Sequence, residues 1–387
     1  MADAADRGRL TWQRLSSRPA AAHLGGMSAA EFFASLPIPI VQAPMLGASG
    51  LEMAAAVSGA GGLGSLAGGA LAPEEIVEQT RAMRARTAAP FGVNLLIVRP
   101  ARPDPEEVAE ALERLAPWHD RLGIDLPVPP NDYAPDFDAQ FAALLAAAPP
   151  LASFTFDVLE ADRVAALKSA GTLVVGTATT VAEARAWAAA GADAICAQGA
   201  EAGGHRGEFL KPGPESLVGT MALVATIREA VDLPVIAAGG IMDGRGLAAA
   251  LALGAAAAQM GTAFLRAEEA TISAPWRRSL ETAGDDPTAV TRAFTGRNAR
   301  GIENRFMREM NGEEVPAYPV QNRLTRELRA AGGRLGDAQV LSLWAGQGVS
   351  LARPGRAAEL MRAWWAEAGE VSDALHARTH GRGETRR

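Results

Sequence analysis

Between residues 37 and 265 the chain repeats one pattern eight times: a short β-type run, then an Ala-rich stretch of helical length. The strand candidates are Ile40 to Ala43, Gly64 to Leu66, Phe91 to Ile97, Leu151 to Phe156, Leu173 to Thr177, Ala194 to Gln198, Val235 to Ala238 and Ala257 to Met260. Helices are expected at Pro73 to Arg86, Ala161 to Ala170, Val181 to Ala190 and Gly246 to Leu253. Two of them open on start signals: Pro with acids in the first turn (Ala72-Pro73-Glu74-Glu75), and the capping-box pattern Thr180-Val181-Ala182-Glu183. Gly171, Gly191 and Gly254 close helices, as a left-handed C-terminal residue requires. Eight such units read as an α/β fold, a (β/α)8 TIM barrel. An open doubly wound sheet is the alternative. The barrel is preferred because the informative residues follow strands three, six, seven and eight, whose ends converge on one face only in a barrel.

The remaining segments sort around that core. Residues 1–36 form an N-terminal extension, and 266–335 read as a smaller, mostly helical inserted lid domain. Residues 336–375 hold C-terminal helices returning to the barrel, including Ala357 to Ala368 with Trp364 and Trp365; residues 376–387 form a loose tail. Residues 1 to about 25 are expected to be loose as well. An elaborated connection follows strand three, with a helix at Pro105 to Ala116 and the Pro-rich Leu126 to Pro130. The charge balance, 37 Lys+Arg against 44 Asp+Glu, offers no basic stripe for phosphate neutralisation, so no nucleic acid is expected. Charges interrupt every apolar run before the roughly 18 residues a membrane span needs. The opening MADAADRGRLTWQRL lacks the apolar core of a signal peptide, so a cytoplasmic protein is expected. One cysteine allows neither an intramolecular disulfide nor a four-Cys zinc cluster, and no metal is expected.

The segment Ala197 to Gly207 carries the most chemistry. Its glycines flank one imidazole, His205, where the sixth barrel strand ends. Such a backbone passes close to something flat or anionic, and a His titrating near neutrality suits removal of a proton from a weak carbon acid. A solvated His in a glycine-rich loop is the bland alternative; placement on the catalytic face of a barrel decides against it. His23, His119, His376 and His380 lie in tails or the long connection and are given no role. The turns at Gly239-Gly240 and Gln259-Met260-Gly261-Thr262 follow strands seven and eight, where barrels commonly bind phosphate through backbone N–H groups. Asp243 is expected to cap the next helix. Ala43-Pro44-Met45 offers a small, donor-poor surface for a ring system. Asn94 and Gln198 carry amides that could read a polar edge. No Rossmann fingerprint or P-loop is present. Cys196, inside an apolar strand, reads as a buried inert thiol.

The run QAPM, Asn94, the segments EAGGHRG and AAGGI, and QMGT follow one another in an order that resembles the nitronate monooxygenase family, also called 2-nitropropane dioxygenases. The resemblance spans about residues 38–350 and takes in Gly296 to Gly301, Ala317-Tyr318-Pro319 and Leu343 to Gly348. It implies a TIM barrel carrying non-covalent FMN. Ala43, Pro44 and Met45 would line the isoalloxazine; Asn94, Gln198, Gly203 and Gly204 would contact the cofactor. Gly239, Gly240, Gln259, Met260, Gly261 and Thr262 would hold its phosphate, and His205 would be the catalytic base. The implied reaction is oxidation of alkyl nitronates with O2 to carbonyl compounds and nitrite, with neutral nitroalkanes as a further substrate class. The family leaves room for a homodimer. The N-terminal extension and the stretch 118–135 depart from simpler members, which leaves the pocket mouth and the substrate open. The alternative is an FMN-dependent enoyl-thioester (enoyl-ACP) reductase using NAD(P)H, which shares the barrel and the GGH loop. A phosphosugar isomerase or lyase, and a non-catalytic flavin-binding protein, are the more distant readings.

Overall fold

The computed structural model describes residues 27–211, 213 and 216–380. Its strands are β1 (Ile40–Gln42), β2 (Gly64–Ala67), β3 (Phe91–Leu96), β4 (Leu151–Thr155), β5 (Leu173–Ala178) and β6 (Ala194–Gln198), then β7 (Gly204–His205), β8 (Val235–Ala238), β9 (Ala257–Met260), β10 (Thr288–Thr291) and β11 (Ala299–Ile302). Eight of them, all but β7, β10 and β11, form one parallel sheet in the order β1-β9-β8-β6-β5-β4-β3-β2. The ring closes where Gln42 N donates to Leu63 O and Leu63 N to Ile40 O, each at 2.9 Å. This is the (β/α)8 barrel that the sequence pattern predicts, and each expected strand lies within one residue of its observed bounds.

Local signals explain those bounds. Glu75 accepts the Ala72 amide at 2.7 Å and starts the helix Pro73–Arg86. Gly171, Gly191 and Gly254 sit at φ +82°, +92° and +88°, the left-handed region open to glycine. Asp243 accepts the Arg245 and Gly246 amides at 2.9 and 3.2 Å, as a cap should. Only half of the expected capping box at Thr180 forms. Thr180 Oγ1 accepts the Glu183 amide, but the Glu183 carboxylate turns inward. There it accepts Thr179 N and Oγ1, Phe209 N and Leu210 N, all within 3.1 Å. The buried carboxylate therefore ties the loop after His205 to the barrel wall.

The helix Ala29–Ser35 belongs to the barrel, which the reading of residues 1–36 as a mere extension did not anticipate. Phe32, Phe33 and Leu36 form one buried cluster with Leu151, Ala194 and Ala257, residues at the starts of β4, β6 and β9, and so plug the N-terminal end of the barrel. At the other end of the chain, the helix expected over 357–368 runs Ala357–His380, so residues 376–380 are helical. Trp364 on it is buried against Phe264, with ring centroids 5.0 Å apart. The expected loose tails otherwise fall on residues 1–26 and 381–387, which lie outside the described residues.

A second apolar core sits beside the barrel. It joins Phe294, Phe306, Leu324 and Leu328 to Val108, Leu115 and Trp118 of the helix Pro105–Leu122. The connection after β3 is thus part of the small domain's core. That domain is not wholly helical: β10 and β11 form a hairpin, and β11 pairs antiparallel with β7, Ala299 opposite His205.

Candidate active site

One cavity of about 300 Å³ opens at the C-terminal ends of the barrel strands. Ala43, Pro44, Met45, Asn94, Gln198, Gly203, Gly204, His205, Gly239, Gly240, Gln259, Gly261 and Thr262 all line it. Met260 does not: its side chain is buried in the barrel core, and its carbonyl accepts the Ala43 amide at 2.9 Å. Alternation along a strand explains this, because Gln259 and Met260 must face opposite ways. Asn94 donates from Nδ2 to Ser153 O and Oγ at 3.1 and 3.0 Å, which leaves its oxygen as the group for a ligand. Gln198 is largely committed to the loop. Its Nε2 donates to His205 O at 2.9 Å and its Oε1 accepts Gly207 N at 2.7 Å.

At one end of the cavity the backbone forms an anion cradle. Gly239 and Gly240 take φ +116° and +71°, and the N–H groups of Gly240, Gly261 and Thr262 donate to no backbone or side-chain acceptor among the described residues. A third segment completes the cradle: Gly346 N donates to Thr262 Oγ1 at 2.9 Å, and Gln347 N to Glu201 O at 3.0 Å. The approach is close, since a Cβ on Gly203 would lie 2.5 Å from Ala345 C and Gly346 N. Unpaired N–H donors beside left-handed glycines suit a phosphate.

At the other end stands His205, held by main chain and side chain alike. Its strand pairs with β11, and its Nε2 lies 3.0 Å from Thr295 Oγ1. Phe156, Tyr318 and Trp344 surround the ring, with centroids 5.5, 5.6 and 5.6 Å away. Phe156 sits at φ +88°, a conformation that an L-residue holds only when its surroundings enforce it. Arg297 stacks over Phe156 at 4.0 Å and reaches the carbonyls of Arg206 and Glu208. Arg329 lines the cavity nearby. Burial, with the Arg297 and Arg329 charges, pulls His205 down to about 3. This corrects the expectation of titration near neutrality: the imidazole is neutral across the physiological range. Cys196 is buried and its thiol is pushed up to about 12, as an inert residue's would be.

Sequence reasoning expected a lid over the barrel but assigned no cavity residue beyond Thr262. Tyr318, Trp344 and Gly346 lie within motifs already noticed for their resemblance, and that was the available signal. Arg329 offered less. It falls next to Leu328 on the buried face of the helix Arg326–Leu335, among many other arginines. His119, given no role, is a buried structural residue whose Nδ1 lies 2.8 Å from Asp125 O. No described helix is long and apolar enough to cross a membrane.

Comparison with known proteins agrees with this geometry. The family model for nitronate monooxygenase matches residues 30–367. A probable nitronate monooxygenase from Staphylococcus aureus (strain Newman) is 39% identical over 321 residues, 82% of this chain and 90% of that protein. The crystal structure of nitroalkane oxidase from Streptomyces ansochromogenes superposes with a TM-score of 0.83 at 44% identity, covering 88% of this chain and 98% of that one. FabK from Thermotoga maritima superposes with a TM-score of 0.70 at 30% identity, covering 91% and 99%. With a candidate active-site cavity at the mouth of its barrel and a match along most of its length, the chain is an oxidoreductase that belongs to the nitronate monooxygenase family.

Proposed function

We propose that this protein is an FMN-dependent nitronate monooxygenase that oxidises alkyl nitronates with O2 to carbonyl compounds and nitrite. The observation that carries the reading is a single cavity with two chemically distinct ends: bare backbone N–H groups at one, a neutral imidazole in an aromatic box at the other. FMN fits the residues present. Gly240, Gly261 and Thr262 would hold its phosphate, Ala43 to Met45 would lie against its ring, and Asn94 would offer an acceptor to the ring's edge. When bound, FMN supplies the electron-transfer chemistry that links a nitronate to O2. The protein's own part is binding, orientation and exclusion of water. Arg329 and Arg297 give this end of the cavity a positive potential that favours an anionic nitronate over a neutral nitroalkane. Phe156, Tyr318 and Trp344 keep the reacting carbon dry. His205 orients the nitronate and accepts the α-proton when a neutral nitroalkane enters.

The test is spectroscopic. Purified protein is expected to be yellow, and an alkyl nitronate added anaerobically without NADH should bleach the flavin band. His205→Asn should lower turnover of a nitroalkane by on the order of 10²–10⁴-fold, the usual share of a general base, and turnover of the preformed nitronate far less. Equal losses on both substrates would remove the base role. The likeness to FabK supports a second reading, an enoyl-thioester reductase. That reading requires rapid bleaching by NADH or NADPH and none by nitronate.

A further inference from the structure

A neutral imidazole is a donor at one nitrogen and a base at the other. Which nitrogen of His205 keeps the lone pair therefore decides what the ring can do to a substrate. The answer lies in the segment between β10 and β11. His205 Nε2 is 3.0 Å from Thr295 Oγ1. The Thr295 hydroxyl has one proton, and a second acceptor competes for it: the Arg297 carbonyl, 3.2 Å away. The same oxygen accepts the Arg297 amide at 3.4 Å, closing a tight turn around Gly296 at φ +77°. Thr295 is buried, so water does not substitute for these partners. With its proton given to the Arg297 carbonyl, Oγ1 faces the ring as an acceptor, and Nε2 carries the hydrogen. His205 Nδ1 has no hydrogen-bond partner among the described residues and is not sealed from the cavity that the ring lines.

We propose that Thr295 is a positioning residue that fixes His205 as the Nε2–H tautomer and so presents the Nδ1 lone pair to the cavity. The hairpin then sets the imidazole twice, through the pairing of Ala299 with His205 and through this hydroxyl. The kinetic consequence rests on the functional reading above; the tautomer itself does not.

The experiment is long-range 1H–15N correlation spectroscopy of the purified holoprotein labelled with 15N-histidine, which has five imidazoles. His205 is assigned by its loss in His205→Asn. The wild type and Thr295→Ser are expected to show a bare Nδ1 and a protonated Nε2 from pH 8 to pH 5. Thr295→Val should populate the other tautomer. Loss of the tautomer-fixing carboxylate in a Ser-His-Asp triad costs about 10⁴ in rate. A neutral hydroxyl holds less firmly, so kcat/KM for a nitroalkane should fall about 10- to 100-fold in Thr295→Val and return in Thr295→Ser. The preformed nitronate should change by no more than about threefold. An Nδ1–H tautomer in the wild type, or a Thr295→Val spectrum identical to wild type, overturns the proposal. The wild-type spectrum decides it even where Thr295→Val fails to fold. Wild-type protein inert to both substrates would instead defeat the nitronate reading, with the spectrum still deciding the tautomer.

Discussion

Arg329 brings a charge into the cavity wall with only neutral oxygens to meet it among the described residues: Thr325 O at 3.4 Å, and Asn322 O and Oδ1 at 2.7 and 2.9 Å. Burial pulls its guanidinium down to about 10, so it remains a cation at neutral pH. An anionic substrate is the partner that would repay this desolvation. Arg329→Met is expected to raise KM for a nitronate about tenfold, roughly 1.4 kcal/mol, with a smaller change in kcat; an unchanged KM in steady-state assays would show that the charge does not reach the substrate. The same substitution removes one of the two charges that depress His205, so the imidazole should titrate at higher pH. A second consequence concerns stability. The unfolded chain binds a proton at His205 near pH 6.5, whereas the native protein resists it down to about 3. Stability from the neutral imidazole is therefore fully present above about pH 6.5 and is lost as pH falls toward 3, with a slope of at most about 1.4 kcal/mol per pH unit. Guanidinium unfolding at pH 7.5 and pH 5.5 should show this decline, and His205→Asn should flatten it.

At the scale of elements, what was legible in the sequence is what is local. β6, β8 and β9 are short apolar runs bounded by their own turn glycines (Gly191 and Gly199, Gly239, Gly254 and Gly261), so they could be read to the residue. The cradle at Gly239-Gly240 was legible for the same reason, since left-handed glycines after a buried strand leave N–H groups unpaired. β7 was not. It is a two-residue strand, Gly204–His205, whose partner in the ladder is β11, and its imidazole is fixed by Thr295 ninety residues away. Neither periodicity nor propensity reports a pairing of that range. The inward turn of the Glu183 carboxylate was hidden likewise, because Phe209 and Leu210 compete with the helix start for it. Gly203 shows how tightly such distant segments meet: a Cβ there would strike the Ala345–Gly346 backbone at 2.5 Å. Gly203→Ala must push apart the His205 loop and the segment that completes the anion cradle. The expected outcome is overpacking of about 1–3 kcal/mol and weaker flavin retention, read as a lower flavin-to-protein absorbance ratio after dialysis. Full retention would mean that segment 345–348 yields without cost.

At the scale of the molecule, two apolar cores meet at the cavity and divide its labour. The barrel supplies the anion cradle and the surface for a ring, while the small domain supplies Thr295, Tyr318, Arg329 and Trp344 around His205. The small domain's core turns on Phe306, which stacks on Phe294 at 4.6 Å and meets Trp118 edge-on at 4.9 Å. The barrel's closed end turns on Phe33, buried in the plug of the helix Ala29–Ser35. Truncating either ring should cost about 3–5 kcal/mol, but the loss should appear in different places. Phe306→Ala is expected to raise hydrogen exchange across residues 288–335 and to reduce nitronate turnover while the protein stays yellow, because the unpaired N–H groups of Gly240, Gly261 and Thr262 lie on barrel loops. Phe33→Ala lies at the far end of the strands from the cavity, so it should lower the melting temperature and leave turnover per folded molecule near wild type. Were Phe306→Ala to lose its colour in step with its activity, the two cores would form one cooperative unit, and the cradle would depend on the small domain as much as the imidazole does.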